Sequence, residues 1–507
     1  MQLIEKTLQE NKTSIMLVPE ISLTPQTVER FLSRFGEEKI AVLHSKLSVG
    51  ERYDQWNKIK NGKAKVVIGA RSAIFAPVSN LGLIIIDEEH DSSYKSEMSP
   101  RYQAKEIARY LAKENNIPLV LGSATPDLES YYRAEKQEIT LLKLTKRANH
   151  ASLPEVKIVD LRKELASGNK SMISQELYEA IGENLKHKRQ TILFLNRRGF
   201  STFVMCRDCG YTAKCKNCDI TLTYHASSNK LKCHYCGYET KMVTSCPNCH
   251  SDNIRYFGAG TQKLESQIHK LFPEAKTIRM DVDTVTKKNS HEEILNQFKN
   301  DNIDILIGTQ MVVKGHHFPK VTLVGVIAAD SSLNMEDFRA NEKTFQTLTQ
   351  VAGRAGREES LKGKVIIQTY NPDSFSIECA QKQDYDLFYK TEIAIRKQLK
   401  YPPFCDIIMI NVSSKKKETA FHITNTLHEY LKNRVLTENW GIILYKGVPA
   451  PIDKIKNQYR YRIIIKCKFD EKIMGLVNDA LAQYEMMKES KNNENRVIVD
   501  LNPNNMA

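Results

Sequence analysis

Eight of the eleven cysteines lie between residues 206 and 249, as four C-x-x-C pairs: Cys206/Cys209, Cys215/Cys218, Cys233/Cys236 and Cys246/Cys249. Spacers of five, fourteen and nine residues separate the pairs. Thiolates are soft ligands, and four of them around one ion is a standard structural zinc site, so the pattern predicts two Zn²⁺ ions. Fourfold repetition argues against a redox C-x-x-C. The start, Met1-Gln2-Leu3-Ile4-Glu5-Lys6, lacks the basic and apolar regions of a signal peptide, which argues against a disulfide framework. Nested pairing puts Cys206, Cys209, Cys246 and Cys249 on one ion and Cys215, Cys218, Cys233 and Cys236 on the other. Sequential pairing would confine a ribbon to the five-residue spacer, so nesting is favoured, with the alternative open. Each site would carry a net charge of −2, partly offset by Arg207, Lys214, Lys216, Lys230, Lys232 and Lys241. Cys379, Cys405 and Cys467 stand alone and read as small core residues.

Four other stretches could do chemistry. Asp87-Glu88-Glu89-His90 follows the apolar run Leu83–Ile86. At the end of a parallel strand, one carboxylate can hold Mg²⁺ and the next can activate water against a phosphate. Gly122-Ser123-Ala124-Thr125-Pro126 follows another apolar run; by itself it reads as a turn into a helix. Gln350-Val-Ala-Gly-Arg354-Ala-Gly-Arg357 ends a long helical pattern, and the spacing predicts Arg354 and Arg357 on one helix face, able to meet a γ-phosphate. Its two glycines would each cost about 1 kcal/mol in a helix, so close backbone approach is expected there. Tyr459–Lys466 alternates with period two: Arg460, Arg462 and Lys466 share one face, which reads equally as a phosphate-tracking surface or as the wet side of a strand. Thr24-Pro25-Gln26 reads as the cap and first turn of a helix over 25–35, whose amino end could bind a phosphate.

Parallel α/β units must position these residues. Residues 1–145 alternate helices with strands near 14–18, 64–68, 83–86 and 118–121, a first α/β lobe. Residues 146–204 comprise a polar connector, 146–174, and the start of a second lobe at the strand 190–195. The cysteine module, 205–251, interrupts that lobe, which resumes over 252–375 with strands at 276–280, 303–307, 321–327 and 364–369. Residues 376–507 read as an α+β C-terminal domain. The chain has 507 residues, 41% apolar and 26% charged, as expected of a folded multidomain protein. No apolar run approaches the ~20 residues of a membrane span, which predicts a cytoplasmic protein without a membrane partner. A formal charge of +14 favours an anionic partner, and two occupied zinc sites would lower it to about +10.

DEEH, GSATP, a second lobe and QVAGRAGR, in that order, resemble the superfamily 2 helicases. Leu17–Gln26, Ile68–Phe75, Leu195–Phe200, Gly308–His316 and Val448–Lys456, with the inserted cysteines, are similar to the PriA family of bacterial replication restart helicases. The resemblance runs from end to end. It implies two RecA-like lobes, a zinc-ribbon-like module and an ATP-dependent 3′→5′ DNA helicase that binds forked DNA in primosome assembly. It also implies ATP with Mg²⁺ as cofactor, and single-stranded DNA, single-strand-binding protein and helicase-loader proteins as partners. By motif, Asp87 would bind Mg²⁺, Glu88 would activate water, and Arg354 and Arg357 would reach the phosphates. Gln350, Gly308 and Lys314 would contact nucleotide, and Thr24, Gln26, Arg71, Arg460 and Arg462 would contact DNA. The family's zinc pairing is the nested one.

Two departures matter. No G-x-x-x-x-G-K-[S/T] occurs in the 507 residues. In the family the phosphate loop lies immediately upstream of the helix that starts here at Met1, and DNA-binding domains precede it. The expectation is therefore a chain that begins after that loop and hydrolyses ATP poorly, with a non-catalytic zinc-stabilised DNA-binding scaffold as the alternative. His317 also stands where many superfamily 2 helicases carry an acidic residue, which weakens one ribose contact.

Overall fold

A computed structural model describes residues 1–20, 25–144, 153–195, 203–225, 228–256, 260–281, 290–300, 302–309, 318–356, 363–438, 440–487 and 494–506. The described residues form two compact units, split at Leu141.

The first unit is a five-stranded parallel sheet in the spatial order Ile40–Leu43, Val66–Gly69, Thr13–Leu17, Leu81–Asp87, Leu119–Gly122. Successive side chains point to opposite faces, so each apolar strand feeds two cores. Ile15, Leu17, Val67, Ile84 and Ile86 pack on one side with Tyr94, Ala104 and Ala108. Val66, Ile68 and Leu83 pack on the other with Ile4, Phe31 and Phe35. Helix Pro25–Phe35 has the expected bounds. Helix Val49–Lys60 opens with a reciprocal capping box between Ser48 and Glu51.

The second unit holds the other three parts. Its parallel sheet has six strands, ordered Thr277–Met280, Ile305–Gly308, Gln190–Phe194, Val321–Val326, Lys364–Thr369, Glu155–Asp160. The last is a correction. The polar connector expected over 146–174 contains this edge strand and the short helix Leu161–Ala166. Glu155 and Lys157 are exposed on it, so its polar residues mark an edge with one wet face. Helices Phe375–Lys382 and Tyr385–Leu399 pack on Ala340–Ala352, the second through the stacked rings of Phe345 and Phe388, with centroids 4.3 Å apart. The C-terminal part is an antiparallel sheet of Ile443–Leu444, Gln458–Cys467, Asp406–Ser414 and Arg496–Leu501, with Val448–Ile455 also paired to Gln458–Cys467. Helices Lys417–Thr437 and Glu471–Met487 cover one face of it.

The cysteine module leaves and re-enters the second lobe through the antiparallel pair Val204–Cys206 and Ile254–Tyr256, and carries a three-stranded sheet of Thr223–His225, Lys230–Lys232 and Glu239–Lys241. One apolar cluster joins the module's Leu222, Leu231 and Tyr235 to Phe338 and Tyr401 and to Ile407, Met409, Ile464 and Met506 of the C-terminal part. Among the described residues, no helix is long and apolar enough to cross a membrane.

Candidate functional site

Asp87 ends its strand at the carboxyl edge of the first sheet, paired with Gly122 of the neighbouring strand. Two motifs that are separate in the sequence therefore meet. His90 Nδ1 lies 2.7 Å from Ser123 Oγ, and Ser123 Oγ accepts the Thr125 N–H at 2.9 Å. Glu89 N–H donates to Gly122 O at 3.0 Å. Glu88 adopts φ +45°, a left-handed conformation that costs a non-glycine residue energy and that clusters at functional sites. Its N–H donates to Asp87 Oδ1 at 3.0 Å, and Tyr94 Oη donates to Asp87 O at 2.6 Å. Desolvation at the sheet edge raises the Asp87 pKa above the usual carboxylate value, opposed by the Glu88 N–H.

Beneath this edge lies an ion cluster that sequence reading missed. Lys105 Nζ meets Glu89 Oε2 at 2.8 Å and also Asp127 Oδ2. Glu89 further accepts the Asp127 N–H at 2.8 Å and Ser130 Oγ–H at 3.0 Å. Asp127 caps helix Leu128–Glu135, so the cluster ties DEEH to the helix after GSATP. The signal was present in Glu89, a third carboxylate in a row that needed a partner once buried. Arg71 braces the same region: its Nη1 donates to Ser93 O at 3.1 Å and Lys95 O at 2.5 Å. Thr24 lies outside the described residues, and Gln26 is placed only as part of its helix.

On the second sheet, Gly308 ends its strand and accepts the Leu195 N–H at 2.9 Å. Gln350 lies in the last turn of helix Ala340–Ala352, half-buried. Arg354 requires a correction. The helix stops at Ala352 with Gly353 as its cap, and Gly356, at φ +61°, lies beyond the turn, its N–H donating to Val321 O at 3.2 Å. Arg354 thus lies in the turn beyond the helix and not on a helix face. Lys314, His317 and Arg357 lie outside the described residues.

In the module, the sulfurs fall into the two nested sets, each with all Sγ atoms within 4.8 Å of one another. Cys206 and Cys249 are 3.6 Å apart, Cys209 and Cys246 3.5 Å, and Cys215 and Cys236 3.6 Å. Four sulfurs each ~2.3 Å from one zinc sit roughly 3.8 Å apart in a tetrahedron, so both donor sets fit that ion. The four pairs share one backbone turn. The first cysteine's N–H bonds the carbonyl five residues on, and its carbonyl accepts the N–H four residues on. The residue at that fourth place has positive φ: Gly210 (77°), Asp219 (53°), Gly237 (71°) and His250 (60°). At Gly210 a Cβ would come within 2.4 Å of Tyr370 O, so the outer set presses on the second lobe.

The basic C-terminal strand is a second correction. Alternation along Gln458–Cys467 is as expected, but Arg462 is 2% exposed and Lys466 4%. Their face packs on the cysteine module, so neither is presented to a DNA phosphate. Arg462 Nε donates to His234 O at 2.9 Å. Arg460 is half-buried, beside exposed Lys454 and Lys456.

Four family models match: DEAD/DEAH box helicase over residues 1–134, PriA DNA helicase Cys-rich region domain over 215–241, helicase conserved C-terminal domain over 242–359, and primosomal protein N C-terminal domain over 397–504. The replication restart protein PriA of Bacillus subtilis is 49% identical over 503 residues, which are 99% of this chain and 62% of that protein. That of Borreliella burgdorferi is 38% identical over 93% of this chain and 70% of its own length. That of Haemophilus influenzae is 37% identical over 100% of this chain and 68% of its own length. The chain thus spans less than two thirds of the Bacillus subtilis relative. Two RecA-like helicase lobes, a cysteine-rich module and the C-terminal domain mark this chain as a member of the PriA family of replication restart proteins.

Proposed function

We propose that this chain works in the cytoplasm as part of an ATP-dependent 3′→5′ DNA helicase that binds forked and single-stranded DNA and takes part in primosome assembly. The observation that carries this reading is the meeting of Asp87, Glu88, His90 and Ser123 at the carboxyl edge of a parallel sheet, where α/β proteins bind ligands. Asp87 would hold Mg²⁺ and Glu88 would orient water. Ser123, bonded to His90, would relay the state of the phosphates to the helix after Asp127. Gln350, Arg354, Arg357, Gly308 and Lys314 would contact nucleotide. Thr24, Gln26, Arg71 and Arg460 would face DNA. ATP with Mg²⁺ supplies the free energy, and two zinc ions would be held by the nested cysteine sets. Single-strand-binding protein and helicase-loader proteins are the proposed partners.

A second reading, a zinc-stabilised DNA-binding scaffold, is favoured for this polypeptide by one observation: its 507 residues contain no G-x-x-x-x-G-K-[S/T]. Without backbone amides and a lysine around the phosphates, turnover is poor. The test is DNA-stimulated ATP hydrolysis beside fork binding, with the 507-residue polypeptide. Fork binding with negligible turnover is expected. Turnover near the ~10 s⁻¹ common among enzymes contradicts the poor-hydrolysis reading, and absence of fork binding contradicts both.

A further inference from the structure

Strand Gln458–Cys467 buries two cations, Arg462 and Lys466, on the face turned toward the cysteine module. A buried cation is costly unless an anion lies close. Among the described residues, neither has a carboxylate within ion-pairing distance. Their hydrogen bonds run to backbone carbonyls: Arg462 to His234 O at 2.9 Å and to Met506 O, Lys466 to Leu399 O at 3.1 Å. Arg462 Nη2 has no hydrogen-bond partner among the described residues. Glu336 acts on Arg462 only from a distance, its oxygens bonded to Thr223 Oγ1 and the His234 N–H. Two thiols act on Lys466: Cys405, whose Sγ lies 3.1 Å from Lys400 O, and Cys218 of the inner set.

The inner cysteine set faces both cations. Arg462 holds the carbonyl of the residue next to Cys233. Lys466 Nζ lies 3.4 Å from the ring centroid of Tyr401, whose hydroxyl donates to Cys218 O at 3.1 Å. Four thiolates around one Zn²⁺ carry a net −2. Three of the surface lysines named for that task are ion-paired with carboxylates: Lys214 with Asp219 at 3.6 Å, and Lys230 and Lys232 with Glu239 at 3.0 and 2.7 Å.

We propose that Arg462 and Lys466 are the buried counter-cations of the inner zinc–thiolate site, so that metal binding at Cys215, Cys218, Cys233 and Cys236 and docking of the C-terminal domain on the module stabilise each other. The coupling is reciprocal by thermodynamic necessity. It rests on the zinc reading; purified, reduced protein containing no zinc would defeat that reading itself.

The test is zinc release from the full chain into excess colorimetric chelator, with Cys249→Ser used to assign the outer phase. Lys466→Met and Arg462→Met should each speed inner release by roughly tenfold. Lys466→Arg should restore the slow rate, and the exposed Lys454→Met should leave it unchanged. Inner release at the wild-type rate in both methionine variants overturns the proposal. So does release from Lys466→Arg as fast as from Lys466→Met, because that indicates packing rather than charge. If the methionine variants do not fold, the wild type decides: zinc removal must raise hydrogen exchange across 458–467, and unchanged protection overturns the coupling.

Discussion

Two buried charge clusters, one in each unit, are built on different plans. In the first unit, Lys105 lies between Glu89 and Asp127, and every member has an opposite charge beside it. In the second, Arg462 and Lys466 are as deeply buried but meet only carbonyls and aromatic rings. The first cluster is complete within the polypeptide. The second is completed by an anion that the cysteine set becomes when it holds metal. Buried cations without a facing carboxylate are thus a feature that the proposed metal site would account for.

The sharpest way to break the first cluster is Lys105→Met. It leaves buried Glu89 and half-buried Asp127 without their cation, and breaking a buried pair typically costs about 3–5 kcal/mol. Denaturant melting of the first unit should show that loss, with zinc content unchanged. A loss under ~1 kcal/mol would mean that the two carboxylates protonate cheaply and that the cluster is not what ties DEEH to Asp127.

A smaller effect is expected at the junction beside the second cluster. Burial alone would raise the Asp337 pKa, but Lys343, 2.6 Å away, and Arg339 hold it down at about 2. A carboxylate depressed in the folded state contributes stability that is present above its unfolded pKa, near 4. That stability is lost as pH falls from about 4 through about 2, and amounts to roughly 2 kcal/mol. Asp337→Asn should flatten the acid limb of the stability profile. An unchanged acid limb would remove Asp337 from the junction's charge balance.

The smallest effect concerns the exposed end of the same strand. Lys454→Met with Arg460→Met should leave stability within ~0.5 kcal/mol and lower the salt slope of DNA binding by about one for each phosphate no longer neutralised. An unchanged slope would place the DNA path elsewhere on the chain.

Much of this is legible in the sequence. Helix Pro25–Phe35, strand Lys364–Thr369 and the nested cysteine sets all follow from local pattern and spacing. What is not legible depends on partners distant in the chain. Ser123 and His90 are 33 positions apart, and only the sheet order makes them neighbours. The edge strand Glu155–Asp160 hides in a polar stretch because an edge strand needs only one apolar face. Along Tyr459–Lys466 the alternation is plain, but no local signal reveals that a module more than 200 residues upstream covers the charged face. Gly353 and Gly356 look like helix residues, whereas Gly353 caps the helix and Gly356 lies beyond it, where its backbone does approach a neighbour, Val321.

The most direct test of the contrast is hydrogen exchange across the whole chain before and after zinc removal under reducing conditions. The account predicts that residues 1–141, whose buried ion cluster needs no metal, keep their protection, while 204–256 and the strands at 406–414 and 458–467 lose it together. Equal loss in both units, or protection at 458–467 that survives metal removal, would contradict it.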